Sequence, residues 1–275
     1  MHRQIAALLL TVALPAAAET VWIGRFTAGD SADAAIPAPW AVQQLDAKVA
    51  PTRYALRSWD GVHAIEAHAK KSMSLLGRPL AVDLARTPIL CWQWRVDAPL
   101  ATADMTTKAG DDYAARVYVS FAIPPAQMSF GTRTKLSIAR SIWGDHVPDA
   151  ALNYVWDNKH PVGTLRDNAY TDRTRMLVLQ SGAAATGRWV RERRDVRADF
   201  RRAFGELDGR LTGIAVASDT DNTGEEAHAG FADFRFVAAE ADCPAPESAA
   251  SAASTASATI GAVEPVRDPS PANAR

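Results

Sequence analysis

The hydrophobic pattern of this chain is that of β-strands. From Ala114 onward, Val117, Val119 and Phe121 alternate with Arg116, Tyr118 and Ser120, the two-residue period of a strand between two environments. The same alternation over residues 89–96 groups Trp92, Trp94 and Val96 against Cys91, Gln93 and Arg95, and over 151–156 it groups Leu152, Tyr154 and Trp156 against Asn153 and Val155. Residues 21–26 read as a first strand and 34–40 as a Pro/Ala-rich loop. Runs 52–58 and 62–69 flank Trp59, Asp60 and Gly61, and Asp-Gly between two strand-length runs predicts a β-hairpin. Residues 176–180 and 188–193 read as a strand pair across a loop with Gly182 and Gly187. The last strands fall at 213–218 and 230–237, joined by the loop 219–229.

One helix is well marked. Asp195 caps its start, Val196, Phe200 and Phe204 form an apolar edge, and Gly205 supplies a left-handed stop. Residues 132–143 carry Leu136, Ile138, Ala139 and Ile142 at near-helical spacing and read as a short helix or an irregular excursion. Many strands, one clear helix and no alternation of strand with helix predict an all-β fold. The expected form is a two-sheet antiparallel β-sandwich of jelly-roll type, galactose-binding-like or lectin-like, with one short helix.

The two ends read differently. Arg3, an apolar run over 5–14, Pro15 and Ala16 to Ala18 make a secretory signal peptide cleaved after Ala18. Its apolar core is about half of the roughly 20 residues that a spanning helix needs, and no later segment is long and apolar enough to span. After residue 240 the chain turns to Ala, Ser and Pro, too little apolar area to offset ordering entropy. The expected layout is a signal peptide at 1–18, one β-sandwich domain at 19–240 and a disordered tail at 241–275, in a periplasmic or secreted protein.

A net charge of −1 over 275 residues points to neither nucleic acid nor an anionic membrane as partner, and leaves the oligomeric state open. Eight tryptophans are many for this length, and each buried indole needs an acceptor for its N–H. Export brings Cys91 and Cys243 into an oxidising compartment. They either close one long disulfide loop or stand as a buried thiol and a free tail thiol.

The polar residues then ask for reasons. An arginine in mid-strand has five donors to satisfy, and Asp111 or Asp112, with Lys108 nearby, can supply a bidentate carboxylate to Arg116. If Gln93, Arg95, Arg116, Tyr118, Ser120 and Asn153 share a sheet face, they form a hydrogen-bonding surface. Edged by tryptophans such as Trp156 and joined by Glu192, it would suit a glycan. Arg188, Arg191, Arg193 and Arg194 add positive charge. Asp219, Asp221, Asn222 and Glu225 lie in one oxygen-rich loop that resembles the start of an EF-hand, a candidate calcium site. The twelfth position from Asp219 is Gly230 rather than a bidentate Glu, and the bland alternative is a loop held by its own side chains. Glu66 and His68 share a strand face that His63 does not, so hydrogen-bonded histidines are expected there rather than a metal site.

No GxSxG, HExxH, glycine-rich phosphate loop or Cys/His catalytic arrangement occurs. Glu192 with Asp111 or Asp112 could form a glycosidase carboxylate pair, and Tyr118 with Arg116 or Asn153 a lyase site. The phrases KAGDDYAARVYVSF, LNYVWDN, WVRERRDVRADFRRAFG and GIAVASDTDNTGE, in this order, resemble an exported bacterial family known as domain of unknown function 3047. The resemblance runs from about Trp22 to Val237 and implies a secreted single β-sandwich, with no activity, substrate or site residues attached. The expected function is non-catalytic binding of a polar ligand such as a glycan. The alternatives are a polysaccharide lyase or glycoside hydrolase, or a structural envelope protein.

Overall fold

The computed structural model describes residues 19–26, 36–144 and 147–243. The signal peptide expected at 1–18 and, apart from 241–243, the disordered tail expected at 241–275 lie outside these residues. Thirteen strands occur among them: β1 Thr20–Gly24, β2 Ala41–Gln43, β3 Arg53–Trp59, β4 Val62–Lys70, β5 Leu75–Pro79, β6 Ile89–Val96, β7 Tyr113–Ala122, β8 Ala150–Asp157, β9 Leu165–Asp167, β10 Thr174–Ser181, β11 Val190–Asp195, β12 Arg210–Asp219 and β13 Glu226–Val237. They form two sheets. Sheet A has the order β11-β6-β13-β4-β3, with β1 also paired to β13, and sheet B the order β2-β5-β12-β7-β8-β10-β9. The chain crosses repeatedly between the sheets, so the fold is the expected jelly-roll sandwich. One pair departs from the antiparallel rule: β8 and β10 run parallel, because the short hairpin strand β9 reverses the chain between them.

The hairpin forms where Asp-Gly predicts it. Trp59 pairs with Val62, and both residues between them take positive φ, Asp60 at 51° and Gly61 at 77°, as a two-residue turn of this hand requires. The expected pairing of the strands around Gly182 and Gly187 is corrected. β10 lies in sheet B and β11 beside β6 in sheet A, because the intervening loop crosses from one sheet to the other.

Two helices occur among the described residues rather than one. α1, Phe130–Trp143, is capped by Ser129 Oγ accepting from Thr132 N at 3.1 Å and stops at Gly144. α2, Val196–Phe204, is capped by Asp195 accepting from Ala198 N at 2.8 Å and stops at Gly205, φ 72°. Phe200 of α2 packs on Phe121 with ring centroids 4.5 Å apart, joining α2 to the core.

The core lies between the sheets. Trp92 and Trp94 from sheet A meet Tyr154 and Trp156 from sheet B, with Trp92 stacked on Tyr154 at 5.4 Å and Trp94 packed against Trp156 at 5.8 Å with the rings tilted by 58°. Burying one indole removes about 200 Å² from water, worth roughly 5 kcal/mol at most. Trp94 donates its N–H to Glu192 at 3.0 Å and Trp156 to the Gly182 carbonyl at 3.1 Å. Cys91 and Cys243 form a disulfide, which closes the question the sequence leaves open and fits an oxidising compartment. No helix among the described residues is long and apolar enough to cross a membrane.

Candidate functional site

The polar residues read from the sequence do not share a face. Gln93 and Arg95 lie on the outer face of sheet A, whereas Arg116, Tyr118, Ser120 and Asn153 lie on the outer face of sheet B, on the far side of the sandwich. The supposed single polar surface is therefore two. Trp156 belongs to neither, since its ring packs in the core.

On sheet B, Arg116 is 3% exposed and its guanidinium is committed. Nε donates to Asp219 Oδ1 at 2.8 Å, one Nη to the Tyr118 hydroxyl at 2.6 Å, and the other to the Asp111 carbonyl at 2.6 Å and to Asp219 Oδ2. The ring of Tyr113 lies 4.4 Å from the guanidinium carbon. The bidentate carboxylate is thus Asp219, from the neighbouring strand β12, and not Asp111 or Asp112. The Asp111 carboxylate stands 4.0 Å away and accepts from Asn168 at 2.7 Å. Asp112 holds the following loop instead, accepting from the backbone and side chain of Thr223 at 2.6 and 2.8 Å and from Asn222 Nδ2 at 3.0 Å.

Burial alone would lower the Arg116 pKa, but Asp219 holds it well above its usual value. Burial raises Asp219, Arg116 pulls it down, and Asp112 and Asp111 push it up again. Two guanidinium N–H groups and the Tyr113 amide converge on the Asp219 oxygens, and a guanidinium held above its usual range keeps its proton, so Asp219 serves as the acceptor of the pair. Burial pushes the Tyr118 hydroxyl up to about 12. Asn153 is fully buried, with its Oδ1 unpartnered, and its side-chain amide lies 3.5 Å from Met176 Sδ. Lys108 is exposed, its ammonium 5.2 Å from the ring centroid of Tyr170. This face is a built internal network, and the Arg116 guanidinium offers no open hydrogen-bonding edge.

The candidate calcium loop is drawn into the same network. Carboxylate oxygens of Asp112, Asp219 and Asp221 lie within 4.8 Å of one another. Asp219 is already matched by Arg116, and Asp112 by the backbone and side-chain donors of both Asn222 and Thr223, so a cation here would compete with an arginine and four loop donors. Glu225 turns away, accepting from Ala101 N, Thr102 N and the Thr102 hydroxyl at 2.8, 2.9 and 2.7 Å. The donor set fits the cross-braced loop better than calcium.

Glu192 projects between the sheets. Its Oε1 accepts from Trp94 of sheet A at 3.0 Å and from Gln180 of sheet B at 2.7 Å. Burial raises its pKa, and the two hydrogen bonds offset this only in part. A carboxyl whose folded pKa lies above its unfolded value takes up a proton in the fold first, so its cost is full above the folded value and is lost as pH falls from there to the unfolded value. Glu192→Gln keeps the acceptor and removes the charge. It is expected to raise the melting temperature at neutral pH, with the gap to wild type closing in acid, measured by thermal denaturation across pH.

An open site among the described residues lies on sheet A. A cleft of about 450 Å³ is lined from β3 by Arg53 and Arg57, from β4 by Glu66 and His68, and from β13 by Glu226 and His228, with Asp97 at its side. Arg53, His68 and His228 lie in one row across three strands. The two ring nitrogens of His228 face Asp97 at 2.7 Å and Glu66 at 2.5 Å. Arg57 bonds Glu66 at 2.5 Å, and His68 bonds Glu226 at 2.6 Å. The His228 ring stacks on Trp59 at 4.5 Å, and the Arg95 guanidinium lies 4.0 Å from the Trp59 ring. Arg95 in turn bonds Asp60 and Asp97. The pairing of Glu66 with His68 on one face is legible in the sequence. His228, over 150 residues away, is brought to them only by the pairing of β13 with β4.

None of the curated proteins matches this chain. Among solved structures, the family 30 carbohydrate-binding module of a Clostridium thermocellum cellulosomal cellulase is 9% identical, with 81% of this chain and 99% of that one covered and a TM-score of 0.39. A family 11 carbohydrate-binding module from the same organism is 7% identical over 82% and 97%, TM-score 0.37. A thermostable cellulase derived from Rhodothermus marinus Cel12A is 12% identical over 80% and 100%, TM-score 0.38. With scores this low, the sandwich assignment stands on the strand pairing itself. The family described as protein of unknown function DUF3047 matches residues 38–235, most of the described sandwich. This chain therefore belongs to the DUF3047 family.

Proposed function

We propose that the protein is an exported, non-catalytic binder of a polar ligand, a glycan, and that the ligand lies in the sheet A cleft. The observation that carries this reading is the contrast between the two faces. Charged and imidazole side chains line open space on sheet A, while Arg116 on sheet B is 3% exposed with its donors spent on its own chain. Trp59 is buried, with Arg95, Arg57 and His228 packed against its ring, so recognition in this cleft runs through hydrogen bonds and charge rather than stacking on that ring. The Cys91–Cys243 disulfide and the apolar N-terminal run support a periplasmic or secreted setting.

The test is calorimetry against a panel of periplasmic and capsular glycans. At least one glycan is expected to bind, His228→Ala to weaken it by about tenfold, and Tyr118→Phe on the opposite sheet to leave it unchanged. Failure of every glycan to bind, or equal binding by His228→Ala, would sink the reading. Incubation with the same glycans is expected to release no new reducing ends or unsaturated uronates; their appearance would favour a hydrolase or lyase.

A further inference from the structure

We infer that the sheet A cleft selects a ligand carrying a carboxylate group, a hydroxylated monoanion such as a hexuronate, held by Arg53. This rests on the reading of the cleft as the binding site and adds the chemistry of its ligand. That chemistry follows from a count of partners. Each cleft carboxylate has a counter-charge or a histidine: Glu66 has Arg57 and His228, Asp97 has His228 and Arg95, and Glu226 has His68 and Lys70. Arg57 is matched by Glu66. Arg53 lines the same space and has no hydrogen-bond or ion-pair partner among the described residues. The cation of the cleft without a partner among the described residues is therefore a guanidinium, whose planar fork pairs bidentately with a carboxylate.

The neighbours narrow the anion. Glu66, Asp97 and Glu226 lie around the cleft, so a dianion such as phosphate meets like charge on several sides. A single carboxylate at Arg53 avoids most of that repulsion. The same carboxylates have oxygen lone pairs left to accept from ligand hydroxyls. Arg53 lies on β3, at the free edge of sheet A, and is solvent-exposed, so a ligand reaches it without displacing the fold. Ala55, between Arg53 and Arg57 on the same face, adds only a methyl group to the floor there.

The test is titration calorimetry of the full chain with galacturonate, its methyl ester and inorganic phosphate. Galacturonate is expected to bind at least about tenfold more tightly than the ester, to weaken as salt rises, and to lose about tenfold in Arg53→Ala with partial recovery in Arg53→Lys. Arg53 is exposed at a sheet edge, so these variants fold, which their melting temperatures will confirm. Equal binding of acid and ester, unchanged binding by Arg53→Ala, or phosphate binding more tightly than galacturonate would overturn the inference. If neutral glycans bind and His228→Ala weakens them while acid holds no advantage, carboxylate selection falls and the cleft reading stands. If no saccharide binds at all, both fall.

Discussion

Arg116→Ala is expected to cost about 3–5 kcal/mol of stability, the usual penalty for breaking a buried ion pair by removing one partner. The loss has two parts. Asp219 is buried and would be left with the Tyr113 amide as its remaining donor, beside the carboxylates of Asp112 and Asp221. The Tyr118 hydroxyl and the Asp111 carbonyl also lose their guanidinium donor. Urea denaturation of Arg116→Ala, Asp219→Ala and the double variant separates these parts. The double variant should be more stable than the sum of the single losses predicts, because it removes the stranded charge with its partner. A loss below about 1 kcal/mol in Arg116→Ala would put the pair among weak surface bridges and remove the basis for treating this face as structural. Folded Arg116→Ala protein should still bind ligand in the sheet A cleft, since no atom of that cleft touches the arginine.

What the sequence could reveal follows from which signals are local. Alternation marks β6, β7 and β8 nearly residue for residue, and it correctly turns Trp92, Trp94 and Val96 inward. Asp60-Gly61 and the Asp195 cap with Gly205 are also local chemistry, and each is where it was expected. The strands β2, β5 and β9 have three to five residues each, too few to show a period. Sheet membership is not local at all. β6 and β7 have the same pattern of apolar against polar positions, yet β6 joins β13 in sheet A and β7 joins β12 in sheet B. Arg95 and Arg116 therefore looked like neighbours when they lie on opposite faces. For the same reason Asp219 read as a metal ligand: its partner, Arg116, is 103 residues away and becomes adjacent only when β12 pairs with β7.

The cleft depends on one further non-local contact, at Gly230. This residue pairs with Glu66 on β4 and with Arg95 on β6, and a Cβ there would come within 2.7 Å of the Trp189 ring and 3.3 Å of Arg95. Trp189 donates to the Trp59 carbonyl at 3.0 Å, which secures the hairpin turn against sheet A. The bare glycine lets that indole lie across the strand, beside the wall built by Trp59, Arg95 and His228. Sequence reading sees a glycine in a strand. Only the packing shows that the side chain it lacks would occupy the space of a tryptophan.

Cys243→Ala should lower stability by about 5 kcal/mol, the chain-entropy value for a loop of 152 residues. Cys243 is the better partner to replace, because Cys91 is buried in β6 beside Ile89 and Val237 and its loss would also disturb packing. The disulfide joins β6 to the chain just after β13, two strands already paired through Cys91 and Arg235. It therefore acts chiefly by restricting the unfolded chain rather than by adding contacts to the folded one. Arg193 partly duplicates the tie, donating to the carbonyls of Ala239 and Ala241 at 2.6 and 3.2 Å, so Cys243→Ala should still fold with its β-structure intact. Chemical denaturation with and without reductant gives the check. Wild type should lose about as much on reduction as the variant loses by mutation, and the variant should not respond to reductant. A loss below about 1 kcal/mol in both would mean that the unfolded chain is held by other contacts, and would remove the disulfide as a principal source of stability for this sandwich.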